Sequence, residues 1–203
     1  MPNINICAQD AFLALYPQSK KPVGVNWPDE GTSQEQALAA NGNLGLLLGP
    51  KSDVMDVDLD CTEAKEMADL ILPKPFAKFD RGTSDSGHYL YRATTCGPTK
   101  KFSGNGPKST LVELRGDGSQ TMIPPSIHPN GSHLRFTDIN QDAPEVEYAD
   151  LLKSVSFLAA CSEVAQRWVS GQRHELALSF SGLCLKQDVD PQLLVNIIQR
   201  ICK

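Results

Sequence analysis

Residues Val54 to Asp60 read Val-Met-Asp-Val-Asp-Leu-Asp, an alternation of apolar side chains and carboxylates. In an extended strand successive side chains point to opposite faces, so Asp56, Asp58 and Asp60 share one face and Val57 and Leu59 the other. Acids spaced about 6.5–7 Å apart on one face repel one another unless protons, cations or solvent intervene. A divalent cation removes that repulsion directly; an edge strand with a wet outer face is the plainer alternative. The apolar run Leu44 to Leu48 just upstream, and the motifs further along the chain, weigh toward the cation.

With 203 residues and 40% hydrophobic content, the chain can bury a core as one medium domain or as a domain with an appendage. It contains no run of about 18 apolar residues, and its N-terminus lacks the basic and apolar regions of a signal peptide. A cytoplasmic protein without membrane contact is expected. The six cysteines (Cys7, Cys61, Cys96, Cys161, Cys184, Cys202) form no C-x-x-C pair, so reduced, mostly structural thiols are expected. The net charge of −5 argues against a nucleic-acid partner only as a sum. Between Lys74 and Arg115 eight basic residues face three acidic ones, a local balance of +5. Beside an acidic strand, that excess suits a site holding metal and polyphosphate together; a solvated face is the ordinary alternative.

Residues 7 to 16 read as a short amphipathic helix ended by Pro17. Thr32 or Ser33 can cap a helix from Gln34 to Ala40, stopped by Asn41-Gly42. Leu44 to Leu48 and Asp53 to Asp60 read as a hairpin around Gly49-Pro50-Lys51-Ser52. Thr62 can cap a helix from Glu63 to about Leu72, and Phe76 to Phe79 is a short strand. Arg81 to Gly87 is a polar loop leading to a strand from His88 to Arg92. Cys96 to Ser109, rich in Gly, Pro and Lys, reads as an excursion without an element of its own. Leu111 to Arg115 and Ser119 to Ile123 read as strands paired around Gly116-Asp117-Gly118, and Leu134 to Phe136 as a returning strand. After an acidic linker from Asp138 to Asp150, helices are expected over Leu151 to Val169, Gln172 to Leu185 and, capped by Asp190-Pro191, to Ile201.

Three pieces stand in order: the acidic strand, Ser86-Gly87-His88 entering a strand, and Leu111-Val112-Glu113-Leu114-Arg115 before a glycine turn. Together with Asp58-Leu59-Asp60-Cys61-x-Glu63-Ala64 and Pro124-Pro125-Ser126-Ile127-His128-Pro129-Asn130-Gly131, this order resembles the primase-polymerase domain of the archaeo-eukaryotic primase superfamily, in its phage and plasmid replication form. The pattern there is hhhDhD (h apolar), then S-x-H, then a single acid after apolar residues. The match covers most of residues 10 to 136. Gly171-Gln172-Arg173-His174-Glu175 and the helices around it resemble the small helical module that often follows that domain.

The resemblance implies an α+β fold, with a mixed or antiparallel sheet flanked by helices over residues 1–148 and a helical module over 149–203. It implies a DNA primase and DNA polymerase that uses dNTPs, with NTPs as a further option for this chain, and Mg²⁺ or Mn²⁺ on a single-stranded DNA template; in related proteins a replicative helicase commonly follows. Asp56 and Asp58 take the place of the first-motif acids and Glu113 that of the third. Asp60 either binds metal with them or caps the next helix. His88, assisted by Ser86, takes the place of the histidine that contacts the triphosphate. Arg115 shares the face of Glu113 and offers a fork to phosphate or makes a surface ion pair. Arg81, Lys51 and Lys108 are either solvated or further phosphate contacts. Ser126 and His128 sit in a loop that either meets the nucleotide or serves only to end a strand. Two rivals remain open: a metal-dependent nuclease, because phosphodiester hydrolysis also uses clustered acids and a histidine, and a non-catalytic module that binds single-stranded DNA or nucleotide.

Overall fold

A computed structural model describes residues 10–83, 85–105 and 110–202. In chain order the elements are β1 (Phe12–Leu15), α1 (Gln34–Ala39), β2 (Asn43–Leu47), β3 (Val54–Leu59), α2 (Thr62–Ile71), β4 (Ala77–Asp80), β5 (Gly87–Thr95) and β6 (Lys100–Ser103). There follow β7 (Thr110–Arg115), β8 (Gln120–Ile123), β9 (Arg135–Ile139), β10 (Val146–Glu147), α3 (Tyr148–Gln166), α4 (Arg173–Lys186) and α5 (Pro191–Ile201). The fold is α+β, as expected. Among the described residues no helix is long and apolar enough to cross a membrane.

A seven-stranded sheet runs in the order β6-β7-β3-β5-β4-β9, with β10 added in parallel to β5, and a three-stranded sheet runs β1-β2-β8. Alternation along β3 divides the large sheet's two faces. Met55, Val57 and Leu59 join Tyr89, Tyr91, Val112 and Leu114 in a core covered by α2, α3 and α5. Val54, Leu90, Ala77 and Phe79 face the other way, into a second core completed by the small sheet. The boundary expected after residue 148 falls at the start of α3, whose Leu151, Val155 and Leu158 belong to the first core.

Several local expectations change once partners are known. Residues 12–15, expected in a helix, form β1, because pairing with β2 fully satisfies an apolar run whose length is too short to sustain helical packing alone. The expected part of that helix before residue 10, with Cys7, lies outside the described residues. The stretch expected as an excursion contains β6, paired to β7. Thr62 is the first residue of α2 and does not cap it; Cys61 takes the cap position without a side-chain bond. Two expected hairpins are crossovers between sheets: β2 pairs with β1 and β8, whereas β3 pairs with β5 and β7, and β7 and β8 likewise part company.

Both crossovers meet at glycines. Gly49 has φ +90°, and a Cβ there would lie 2.8 Å from the Cα of Asp117 in the other crossover. At Gly116 a Cβ would lie 2.1 Å from the carbonyl oxygen of Gly97. No rotamer relieves a clash with backbone. Gly116→Ala is therefore expected to lower stability by about 1–3 kcal/mol in urea unfolding, whereas Gly182→Ala, in open space within α4, is expected to raise it by about 0.5–1 kcal/mol.

Candidate active site

Strand register lines up one row of side chains across the large sheet. Lys101 on β6 stands opposite Glu113 on β7, Glu113 opposite Asp58 on β3, Asp58 opposite His88 on β5, His88 opposite Phe79 on β4, and Phe79 opposite Phe136 on β9. Directly paired residues share a face, so an acid pair, an imidazole and two aromatic rings form one continuous strip. The His88 ring stacks on Phe79 at 4.5 Å between centroids and 5° between planes, and Phe136 meets Phe79 edge-on.

Just beyond β3, Asp60 donates its backbone N–H to the carbonyl of Leu111, which turns its carboxylate back toward the strip. Oxygens of Asp58, Asp60 and Glu113 lie within 4.8 Å of one another. Asp60 is thus neither a helix cap nor an isolated surface acid. Its proton affinity rises to about 6, through partial burial first and then the charges of Asp58 and Glu113. Three converging carboxylates offer an all-oxygen donor set suited to a hard divalent cation such as Mg²⁺ or Mn²⁺.

Asp56 departs from the expected set. It points to the same face but lies one strand repeat deeper, fully buried, and it is outside the converging group. His88 Nδ1 lies 3.0 Å from its Oδ2, and Arg115 Nη1 lies 3.7 Å from the same oxygen. Burial works to raise the proton affinity of Asp56, but His88 and Arg115 outweigh it and the net shift is downward. His88 shows the mirror image: burial opposes its charge, while Asp56 and Asp58 raise its pKa above the ordinary 6.5. Its Nε2 lies 3.5 Å from Asp58. As a cation His88 carries N–H on both ring nitrogens, one facing each acid.

A cavity of about 360 Å³ opens over this strip, in the crevice between the two sheets. Asp58, Asp60, Glu113, His88, Ser86, Arg81, Arg115 and His128 all line it. Arg81 Nη2 donates to Ser86 Oγ at 2.7 Å, and the loop carrying it is tied down by Asp80, which accepts from the Gly82 N–H and pairs with Lys65 at 2.8 Å. Arg115 is less free than a bare phosphate fork, because its Nη2 donates to the carbonyl of Gln120 at 2.6 Å and so bridges the sheets. Burial, together with the nearby charges of Lys20, Arg81 and His88, lowers the pKa of His128 and outweighs a hydrogen bond to the Asn130 side chain that favours the charged ring.

Other expected contacts fall elsewhere. Ser126 is buried beneath the cavity, its hydroxyl accepting from Leu44 N–H at 2.8 Å and lying 3.2 Å from Leu44 O. Its task is to fasten the His128 loop to β2, aided by Asn43, which bonds both backbone groups of Ile127. Lys51 Nζ donates to the carbonyl of Asp29, away from the cavity. Lys108 lies outside the described residues. Sequence reasoning missed Lys20, which lines the cavity with its backbone carbonyl held by Gln120 Nε2. The Lys20-Lys21 pair was visible, yet no local pattern links it to acids more than thirty residues away.

The chain is thus a two-core α+β protein in which a carboxylate trio faces cationic side chains across one cleft. The family model described as "Bifunctional DNA primase/polymerase, N-terminal" matches residues 8–149, and the chain belongs to that family. No curated protein matches the chain at a significant level.

The Asp60 shift has a definite sign. A carboxyl that binds its proton more tightly when folded contributes stability in full below its ordinary value of 3.8, and that contribution is lost as pH rises through about 6. In metal-free protein at pH 7.5, Asp60→Asn is therefore expected to raise Tm, with the difference shrinking toward pH 4. Mn²⁺ is expected to raise the wild-type Tm at pH 7.5 more than at pH 5, and the variant's less. Scanning fluorimetry across pH, with and without Mn²⁺, checks both.

Proposed function

We propose that this chain is a DNA primase and DNA polymerase, joining dNTPs on a single-stranded DNA template. The observation that carries this reading is the convergence in one cavity of three carboxylates from β3 and β7 with a cationic group built from both sheets. In nucleotidyl transfer a 3′ oxygen loses its proton and bonds to the α-phosphorus, while the bond to pyrophosphate breaks. Asp58, Asp60 and Glu113 are the residues that would hold Mg²⁺ or Mn²⁺. Bound there, such ions supply charge neutralisation for the attacking and leaving oxygens.

The remaining residues bind and orient. His88, Arg81 and Ser86 face the cavity from the large sheet, and Lys20 and His128 from loops attached to the small one, a spread of donors that suits a triphosphate more than a single phosphodiester. Asp56 acts through His88: it holds Nδ1, keeps the ring charged and aims Nε2 at the cavity side. Asp56 is thus a positioning residue. The setting implied by the resemblance is phage or plasmid DNA replication beside a replicative helicase.

Primer extension and de novo synthesis on single-stranded DNA, run with dNTPs and with NTPs, test the reading. Asp58→Asn and Glu113→Gln are expected to reduce synthesis to background, and His88→Ala to raise the nucleotide KM. Asp56→Asn is expected to cost about 10–100-fold in activity and to shift the alkaline limb of the pH profile downward, because His88 loses the partner that keeps it protonated. Undiminished synthesis by the Asp58 and Glu113 variants would remove the site. Degradation of labelled DNA without nucleotides, lost in the same variants, would turn the assignment to a nuclease.

A further inference from the structure

The strip across the large sheet has unlike flanks. To one side of Asp58 stand His88 and the loop of Arg81, and to the other the strip passes through Glu113, on the strand that also carries Arg115, and ends at Lys101 on β6. β6 is the terminal strand of the sheet and Lys101 is exposed. Among the described residues Lys101 makes no ion pair within 4 Å.

Lysines on an edge strand commonly serve to discourage pairing with another chain. Lys100 fits that description, since it stands opposite Leu114 and alternates to the other face of the sheet. Lys101 differs in where its register puts it, on the face of the carboxylates and next to Glu113.

Phosphoryl transfer places the attacking and leaving oxygens roughly in line on opposite sides of phosphorus. With the leaving pyrophosphate over His88 and Arg81, the attacking oxygen arrives from the side of Glu113 and β6. The strand that carries it is a polyanion, and three carboxylates repel it. Strands of a sheet lie about 4.8 Å apart, so Lys101 stands about 10 Å from Asp58 across the sheet, the rise of roughly three nucleotides at about 3.4 Å each.

We propose that Lys101 holds backbone phosphates of the DNA strand being extended, so that strand and incoming triphosphate meet over the carboxylates from opposite flanks. This rests on the polymerase reading and adds to it a surface, the outer face of β6, with a defined partner.

The test compares Lys101→Ala, Lys101→Glu and Lys101→Arg with Lys100→Ala, using fluorescence anisotropy on a primer-template with a recessed 3′ end, then steady-state extension. Lys101→Ala is expected to weaken DNA binding about 5–10-fold and to reduce the slope of log affinity against log salt by about one. The loss is expected to be larger for Lys101→Glu and restored by Lys101→Arg, with nucleotide KM within about twofold of wild type for Lys101→Ala and Lys101→Arg. DNA affinity and salt slope unchanged in both the Ala and Glu variants would overturn the proposal. So would a shift in the Mn²⁺ midpoint or nucleotide KM in place of DNA affinity, which would make Lys101 a partner of the acids. Lys100→Ala matching Lys101→Ala in every arm would overturn it too, by reducing the effect to general edge charge. If the wild-type protein extends no primer, it is the polymerase reading that fails, and the binding arms still decide Lys101.

Discussion

A carboxylate sealed from water survives as an anion only where positive charge and hydrogen bonds replace its hydration. Asp56 meets that condition with His88 from one neighbouring strand and Arg115 from the other. The pairing therefore does more than neutralise a charge. It stitches β5, β3 and β7 together at the level of the site, and it leaves His88 one orientation, with the ring stacked on Phe79 and Nδ1 committed downward. Removing one partner of a buried pair is far more costly than its net contribution suggests, because the other charge stays behind. Everything above Asp56 in the cavity inherits this rigidity.

Register is the next constraint. Glu113, Asp58 and His88 come from three strands far apart in sequence, and they meet only because β7, β3 and β5 pair in one alignment. A slip by one residue on any of these strands would turn its polar set into the helix-covered core and expose Val57, Tyr89 or Val112 in exchange. The large apolar penalty on that side specifies the polar side, so the helices α2 and α3, which do not line the cavity, decide where the acids stand.

Much of this was readable from the chain before any partner was known. The alternation in Val54 to Asp60 announced the strand and its acidic face, and Glu113, His88, Ser86, Arg81, Arg115 and His128 do line one cavity. What failed was whatever depends on a distant neighbour. Gly49-Pro50 and Asp117-Gly118 correctly mark chain reversals, but turn chemistry says nothing of which sheet the chain enters next, and both hairpins proved to be crossovers. The composition of Lys100 to Ser103 hides a strand because an edge position tolerates lysines that a central one would exclude. Alternation likewise leaves open how Asp56, Asp58 and Asp60 divide their tasks. All three point the same way, and only depth separates them: the bridge from Arg115 to Gln120 closes over Asp56, while Asp60 emerges at the strand's end beside Glu113.

The crossovers also explain why the site is a crevice. Carboxylates belong to the large sheet alone, whereas the groups that face them are divided: His88, Arg115 and the loop of Arg81 belong to the large sheet, and the Lys20 cation and the imidazole of His128 to loops anchored to the small one through Gln120 and Asn43. A single sheet could not place positive groups on two sides of an anion above its own surface, because its side chains all rise from one plane. Two sheets inclined to each other can. The two crossovers touch where Gly49 packs on Asp117, with no side chain on Gly49 to hold them apart, while Gly116 lets the second crossover start against the β5–β6 connection at Gly97. Two residues without a Cβ thus fix where the chain passes from one sheet to the other beside the cavity.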